Sequence, residues 1–180
     1  IFASIVTVFG TGVVILGACA VAFGNLVIMT PLSYQLSIAS GISFAIAGVA
    51  VYMAFAIGPV SLVAPIFGAY PILSVGWAAV SGTPVSGLQW LAVLTMVAGI
   101  AALSSDTNHA ASRTKAIFWA ATAAIGFAAT FAFSQAAVVV GDELTSMLTT
   151  RIVAFGCVLA LALAAHQPVK PKRAQIPLLV

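Results

Sequence analysis

The first 105 residues of this 180-residue chain contain no Asp, Glu, Lys or Arg, and the first charge is Asp106. So long an uncharged stretch cannot surround a single soluble core, because nothing in it would solvate the surface. It must instead cross a bilayer several times. Only 5% of all residues are charged and 63% are hydrophobic, whereas a soluble domain carries about 25% charged residues. A soluble enzyme, a nucleic-acid-binding domain and a disordered segment are excluded, and the lipid bilayer is the first partner. The net charge of +3 comes mainly from short loops beside apolar runs, where Lys and Arg act as topology signals.

Each crossing needs about 20 mostly apolar residues. Six runs qualify: 1–24, 37–57, 60–80, 87–104, 116–140 and 146–166. Asn25, Pro31 and Ser33, then Gly58-Pro59, then Gly82-Thr83-Pro84 punctuate the first four. The runs are apolar all round and lack the ten-residue alternation of a membrane barrel. The pattern predicts an all-α, polytopic transmembrane helical bundle with six spans and both ends on one face. The chain opens on Ile1 with no basic leader and closes on Ala174 to Val180, the start of another apolar segment. We therefore expect a piece of a longer protein, without a signal peptide.

Small residues recur at helical spacing: Gly41, Ala45, Gly48 and Tyr52 in the second span, and Thr122, Gly126, Thr130 and Ser134 in the fifth. Such rows let helices approach closely, and packing is their expected role over a polar path. Loops 105–115 and 167–173 hold Arg113, Lys115, Lys170, Lys172 and Arg173. The opposite loops, 25–36, 81–86 and 141–145, hold no Lys or Arg and carry Asp142 and Glu143. The basic loops are expected in the cytoplasm. Trp77 and Trp90 mark one interface and Trp119 the other.

No catalytic constellation is present, so the chain is not expected to be an enzyme. His109 and His166 have no partner at metal-ligand spacing, Cys19 and Cys157 fall inside apolar runs, and neither metal nor cofactor is expected. Adjacent Asp142 and Glu143 would point to different sides of a helix. Neither a Gly-rich phosphate loop nor a G-x-S-x-G turn occurs. Arg151 stands apart, about six residues inside the last span. A charge at depth costs on the order of 2.5–3.5 kcal/mol and usually faces a cavity or a partner. Two readings remain open: Arg151 contacts an anion or carboxylate in a transport path, or it snorkels to the interface or pairs with Asp142 or Glu143. The third span carries Pro59, Pro65 and Pro71. Pro65 and Pro71 each free a carbonyl, so we expect the span to be irregular there and to face the bundle interior.

Residues 54–66 (AFAIGPVSLVAPI), then Pro71, then 82–103 (GTPVSGLQWLAVLTMVAGIAAL) resemble the EamA-type repeat of the drug/metabolite transporter superfamily. The likeness covers about 35–166 and is most specific over 54–103. The fifth and sixth spans resemble the opening of a second repeat, with Arg151 at its "lR" element. The resemblance implies ten helices in a 5+5 inverted-repeat arrangement around a central cavity for small metabolites. This chain would hold helices two to seven. Residues 1–104 would be the last four helices of the first repeat, 105–115 the inter-repeat loop, and 116–180 the truncated opening of the second. Two departures stand out. Thr83 replaces the usual glutamate after Gly82, and the family's usual orientation would put loop 105–115 outside.

The leading expectation is a secondary transporter in a cell inner membrane. It would export a small metabolite, such as an amino acid or related compound, by alternating access. Arg151 is the principal candidate for the substrate path, with Tyr52, Ser61, Pro65, Tyr70 and Gln89 beside it. The alternative is a non-transporting membrane scaffold or assembly subunit whose small-residue faces only pack helices.

Overall fold

The computed structural model describes residues 2–23, 28–82, 84–103 and 113–164. Its elements are helices: α1 (Phe2–Phe23), α2 (Pro31–Ile57), α3 (Val60–Gly68), α4 (Tyr70–Val80), α5 (Gly87–Leu103), α6 (Arg113–Val139) and α7 (Glu143–Ala164). Among the described residues five stretches are long and apolar enough to cross a membrane: Ala3–Ala22, Pro31–Ile57, Val60–Val80, Thr114–Val139 and Glu143–Ala164. The expected fourth span is α5, a shorter apolar helix of 17 residues. The architecture is thus all-α and compatible with a multi-pass membrane bundle. Asn25, Thr83, Asp106, His109, His166, Lys170, Lys172, Arg173 and the apolar stretch 174–180 lie outside the described residues.

Three helices, α2, α6 and α7, begin earlier than their apolar runs, and capping explains α2 and α7. α2 starts at Pro31 rather than near 37, because Thr30 supplies an N-cap: its Oγ1 accepts the Ser33 N–H at 3.2 Å. Pro31 fits the first helical position, where no N–H is needed. The Thr30 hydroxyl in turn donates to the Val140 carbonyl at 3.0 Å, tying the start of α2 to the end of α6. α7 starts at Glu143, capped by Asp142, whose Oδ2 accepts the Thr145 N–H at 2.9 Å and the Thr145 hydroxyl at 2.7 Å.

These bonds favour the Asp142 carboxylate and hold its pKa below the ordinary 3.8, the Thr145 N–H contributing most. A depressed pKa means the cap's contribution is complete above 3.8 and fades as pH falls through the lower folded value. Wild type should therefore lose more thermal stability than Asp142→Asn between about pH 6 and about pH 3, since asparagine still accepts the N–H but does not titrate. Identical pH slopes in the two proteins would show that this cap contributes nothing.

The helices form two compact units, Ile1–Ala45 with Phe133–Val180, and Ile46–Ala132, and both α2 and α6 contribute to each. In the first unit α1 buries Ile5, Val6, Phe9 and Ala20. α7 buries a row four residues apart: Ser146, Thr150, Ala154, Val158 and Ala162. Small residues set the approach distances. A Cβ on Gly41 of α2 would lie 2.7 Å from Val153 Cβ and 2.8 Å from the Thr150 carbonyl oxygen of α7.

The second unit has a core of Ala54, Leu62, Val63, Ala116 and Ala120, flanked by Ile57, Ile66 and Trp119. Gly126 of α6 meets Ala47 of α2 here, and an added Cβ would lie 2.9 Å from Ala47 Cβ and 3.2 Å from its Cα. The third span is broken, as its prolines predict, but the break falls at Ala69. Pro65 stays inside α3 and is buried. At Ala69 (φ −77°, ψ −2°) cap N–H groups take the carbonyls of Ile66 and Phe67, and Pro71 occupies the first turn of α4. Pro71 has no N–H for the Phe67 carbonyl, so the chain cannot continue as one regular helix across this point.

Candidate functional site

Arg151 is the ninth residue of α7, counted from Glu143, which places it about 12 Å along the axis from the helix start. It is half-buried between α1 and α2. Its guanidinium carbon lies 4.6 Å from the ring centroid of Phe44 on α2. Phe44 is backed by Phe9 of α1, with ring centroids 4.9 Å apart. On the α1 side stands Gly12, where an added Cβ would be 3.9 Å from Arg151 Nη1. A larger residue there would occupy the space beside the guanidinium.

The open alternative, pairing with Asp142 or Glu143, is not what the structure contains. Asp142 is turned to Thr145. Glu143 begins the helix two turns earlier. No ion pair joins Arg151 to a described carboxylate. A cation–π contact returns roughly 0.5–2 kcal/mol, less than the roughly 2.5–3.5 kcal/mol that charge insertion costs. The ring alone does not offset the charge.

Beside Arg151 runs a seam of hydroxyls. Ser33, Ser37 and Ser40 of α2 are fully buried. Ser33 donates to the Ala137 carbonyl at 2.9 Å and sits 3.3 Å from the Ser146 hydroxyl. Ser40 and Ser134 share a 2.7 Å bond, and Thr150 donates to the Ser37 carbonyl at 3.3 Å. The buried Ser37 Oγ has no hydrogen-bond partner among the described residues. In the expected α6 row, Thr122 and Thr130 donate back to their own helix, while Gly126 and Ser134 make contacts with α2. Gly126 and Ser134 of the row thus pack against α2.

The remaining candidates lie in the second unit. Tyr70 opens α4 at the helix break and stacks on Phe131 at 5.5 Å and 7° between planes, with Phe127 and Phe67 at 5.8 and 5.9 Å. Pro65 is buried one turn earlier, Ser61 is exposed near the start of α3, and Tyr52 is half-buried on α2. Gln89 is engaged in a cap. Its Oε1 accepts the Ser86 N–H at 2.7 Å while Ser86 Oγ accepts the Gln89 N–H at 3.3 Å. This is the reciprocal Ser-x-x-Gln box that starts α5. Pro65 and Tyr70 thus lie on either side of the break, and Gln89 lies at a helix end.

Sequence reasoning missed Phe44, Gly12 and the serine seam. The 33–37–40 spacing on one helical face was a usable signal for the seam, but nothing local marks Phe44 or Gly12. No family model, curated protein or solved structure matches this chain.

Proposed function

We propose that the protein is a secondary transporter that exports a small metabolite, such as an amino acid or related compound, across a cell inner membrane by alternating access. The observation that carries this reading is Arg151, a half-buried guanidinium inside an apolar helix with no described carboxylate beside it. Intramembrane charges are expensive and mark substrate or ion pathways by default. The helix break at Ala69 supports the same reading, since interrupted helices are a recurring transporter device. The EamA-like motif over 54–103 supplies the class and, with it, the 5+5 inverted-repeat layout. The competing scaffold reading draws on the close contacts at Gly41 and Gly126, which any tightly packed bundle would also need.

The experiment is efflux from proteoliposomes loaded with a small-molecule cell extract, followed by mass spectrometry of the external medium. The expected result is selective appearance of one or a few metabolites relative to protein-free vesicles. Identical efflux profiles with and without folded protein would favour the scaffold.

A further inference from the structure

The arginine of the transport reading has chemistry left over, and that chemistry defines a ligand class. We propose that the nook formed by Arg151, Phe44 and Gly12 among α1, α2 and α7 binds an oxyanion, carboxylate or phosphate-like, with the guanidinium as its fork.

Three observations converge on this. First, the guanidinium makes no hydrogen bond or ion pair among the described residues; it sits over the Phe44 ring, its carbon 4.6 Å from the centroid. A guanidinium presents its N–H donors at its edges, in a geometry that matches two oxygens of one carboxylate or phosphate. With no acceptor on them among the described residues, those donors are left for a ligand, while the ring contact holds the group in place. Second, Phe44 is itself backed by Phe9. The platform that orients the fork therefore spans α1 and α2. Third, the α1 residue facing Nη1 is glycine. A position without a side chain leaves volume beside the donors, where any larger residue would lie against them. Neither Phe44 nor Gly12, the groups placed against the guanidinium, neutralises a cation. A bound oxyanion would.

The oxyanion could come from a free solute or from a lipid headgroup, since Arg151 sits only about 12 Å along the axis from the helix start. Phenylglyoxal labelling separates them. The full-length protein is held in dodecyl maltoside micelles, which carry no phosphate, or in phospholipid nanodiscs, and adduct formation at Arg151 is followed by peptide mass spectrometry, with Arg113 as internal reference. Arg151 labelling is expected to slow relative to Arg113 with propionate or inorganic phosphate, by about threefold once the anion reaches twice its dissociation constant. Slowing seen only in the phospholipid nanodiscs would assign the same fork to a lipid phosphate. Gly12→Leu should abolish the protection; if that variant does not fold, Phe44→Leu should weaken it. An Arg151 that never labels, or labels at a rate no anion alters, overturns the proposal. Transport and oxyanion binding can fail separately: efflux without protection would remove the oxyanion alone, and protection without efflux would remove transport alone.

Discussion

Gly126→Leu and Gly41→Leu should each lower the melting temperature of the detergent-solubilised protein sharply, whereas Gly17→Leu and Gly156→Leu should leave it nearly unchanged. At Gly126 the obstacle is backbone: the first side-chain carbon would lie 3.2 Å from Ala47 Cα and 3.3 Å from its nitrogen. At Gly41 it is the Thr150 carbonyl and the Val153 Cβ. Neither neighbour can rotate aside, so α2 must move bodily away from α6 or α7. Overpacking of this kind costs roughly 1–3 kcal/mol and sometimes more. Gly17 and Gly156 have nothing within 4 Å of an added Cβ. Each of the first two variants tests one compact unit. Thermal melts that ranked all four alike would mean that these glycines do not set the helix approach.

The second large effect concerns Arg151 and runs in the opposite sense for stability. Arg151→Gln should reduce efflux by about 10–100-fold, the equivalent of losing one charge-assisted hydrogen bond of roughly 1.5–3 kcal/mol. Arg151→Lys should fall between, because a point charge keeps the attraction but loses the fork. Removing the charge also removes an insertion penalty of roughly 2.5–3.5 kcal/mol while forfeiting a cation–π contact of roughly 0.5–2 kcal/mol. Arg151→Gln should therefore melt no lower than wild type despite its loss of activity. A variant that melts lower and transports normally would make Arg151 a structural residue.

The helices were legible because the bilayer imposes a length and forbids charge, so the uncharged 105 residues allowed little else. Helix starts were harder where polar residues extend an apolar run. Thr30-Pro31 is a readable cap followed by a first-turn proline, yet hydropathy alone placed the span six residues late. The break in the third span was legible from its prolines, but not its position, because Pro65 is accommodated inside α3 while the interruption waits for Ala69. Arg151 announced itself by cost. Its neighbours did not, since the meeting of Phe44, Gly12 and Arg151 depends on how three helices align, and no local spacing encodes that. Gln89 is the reverse case: the Ser-x-x-Gln cap was visible locally, though its place in the likeness pointed to the substrate path.

The directions in which the helices run also fix a parity. In the first unit, Ser33 meets Ala137 while Ser40, further along α2, meets Ser134, earlier on α6, so these two segments are antiparallel. Ser33 with Ser146 and Ser37 with Thr150 advance together, so α2 and α7 are parallel. Antiparallel α2 and α6 require an even number of traverses between them. Among the described residues only the α3–α4 pair and α5 lie there, so both traverse or neither does. Val60–Val80 has the length and hydropathy of a span. If that span crosses, α5, about 25 Å long by its 17 residues, crosses as well. It is shorter than a hydrocarbon layer of about 30 Å, so a crossing there would require the bilayer beside it to thin or its flanking groups to reach outward to the headgroups.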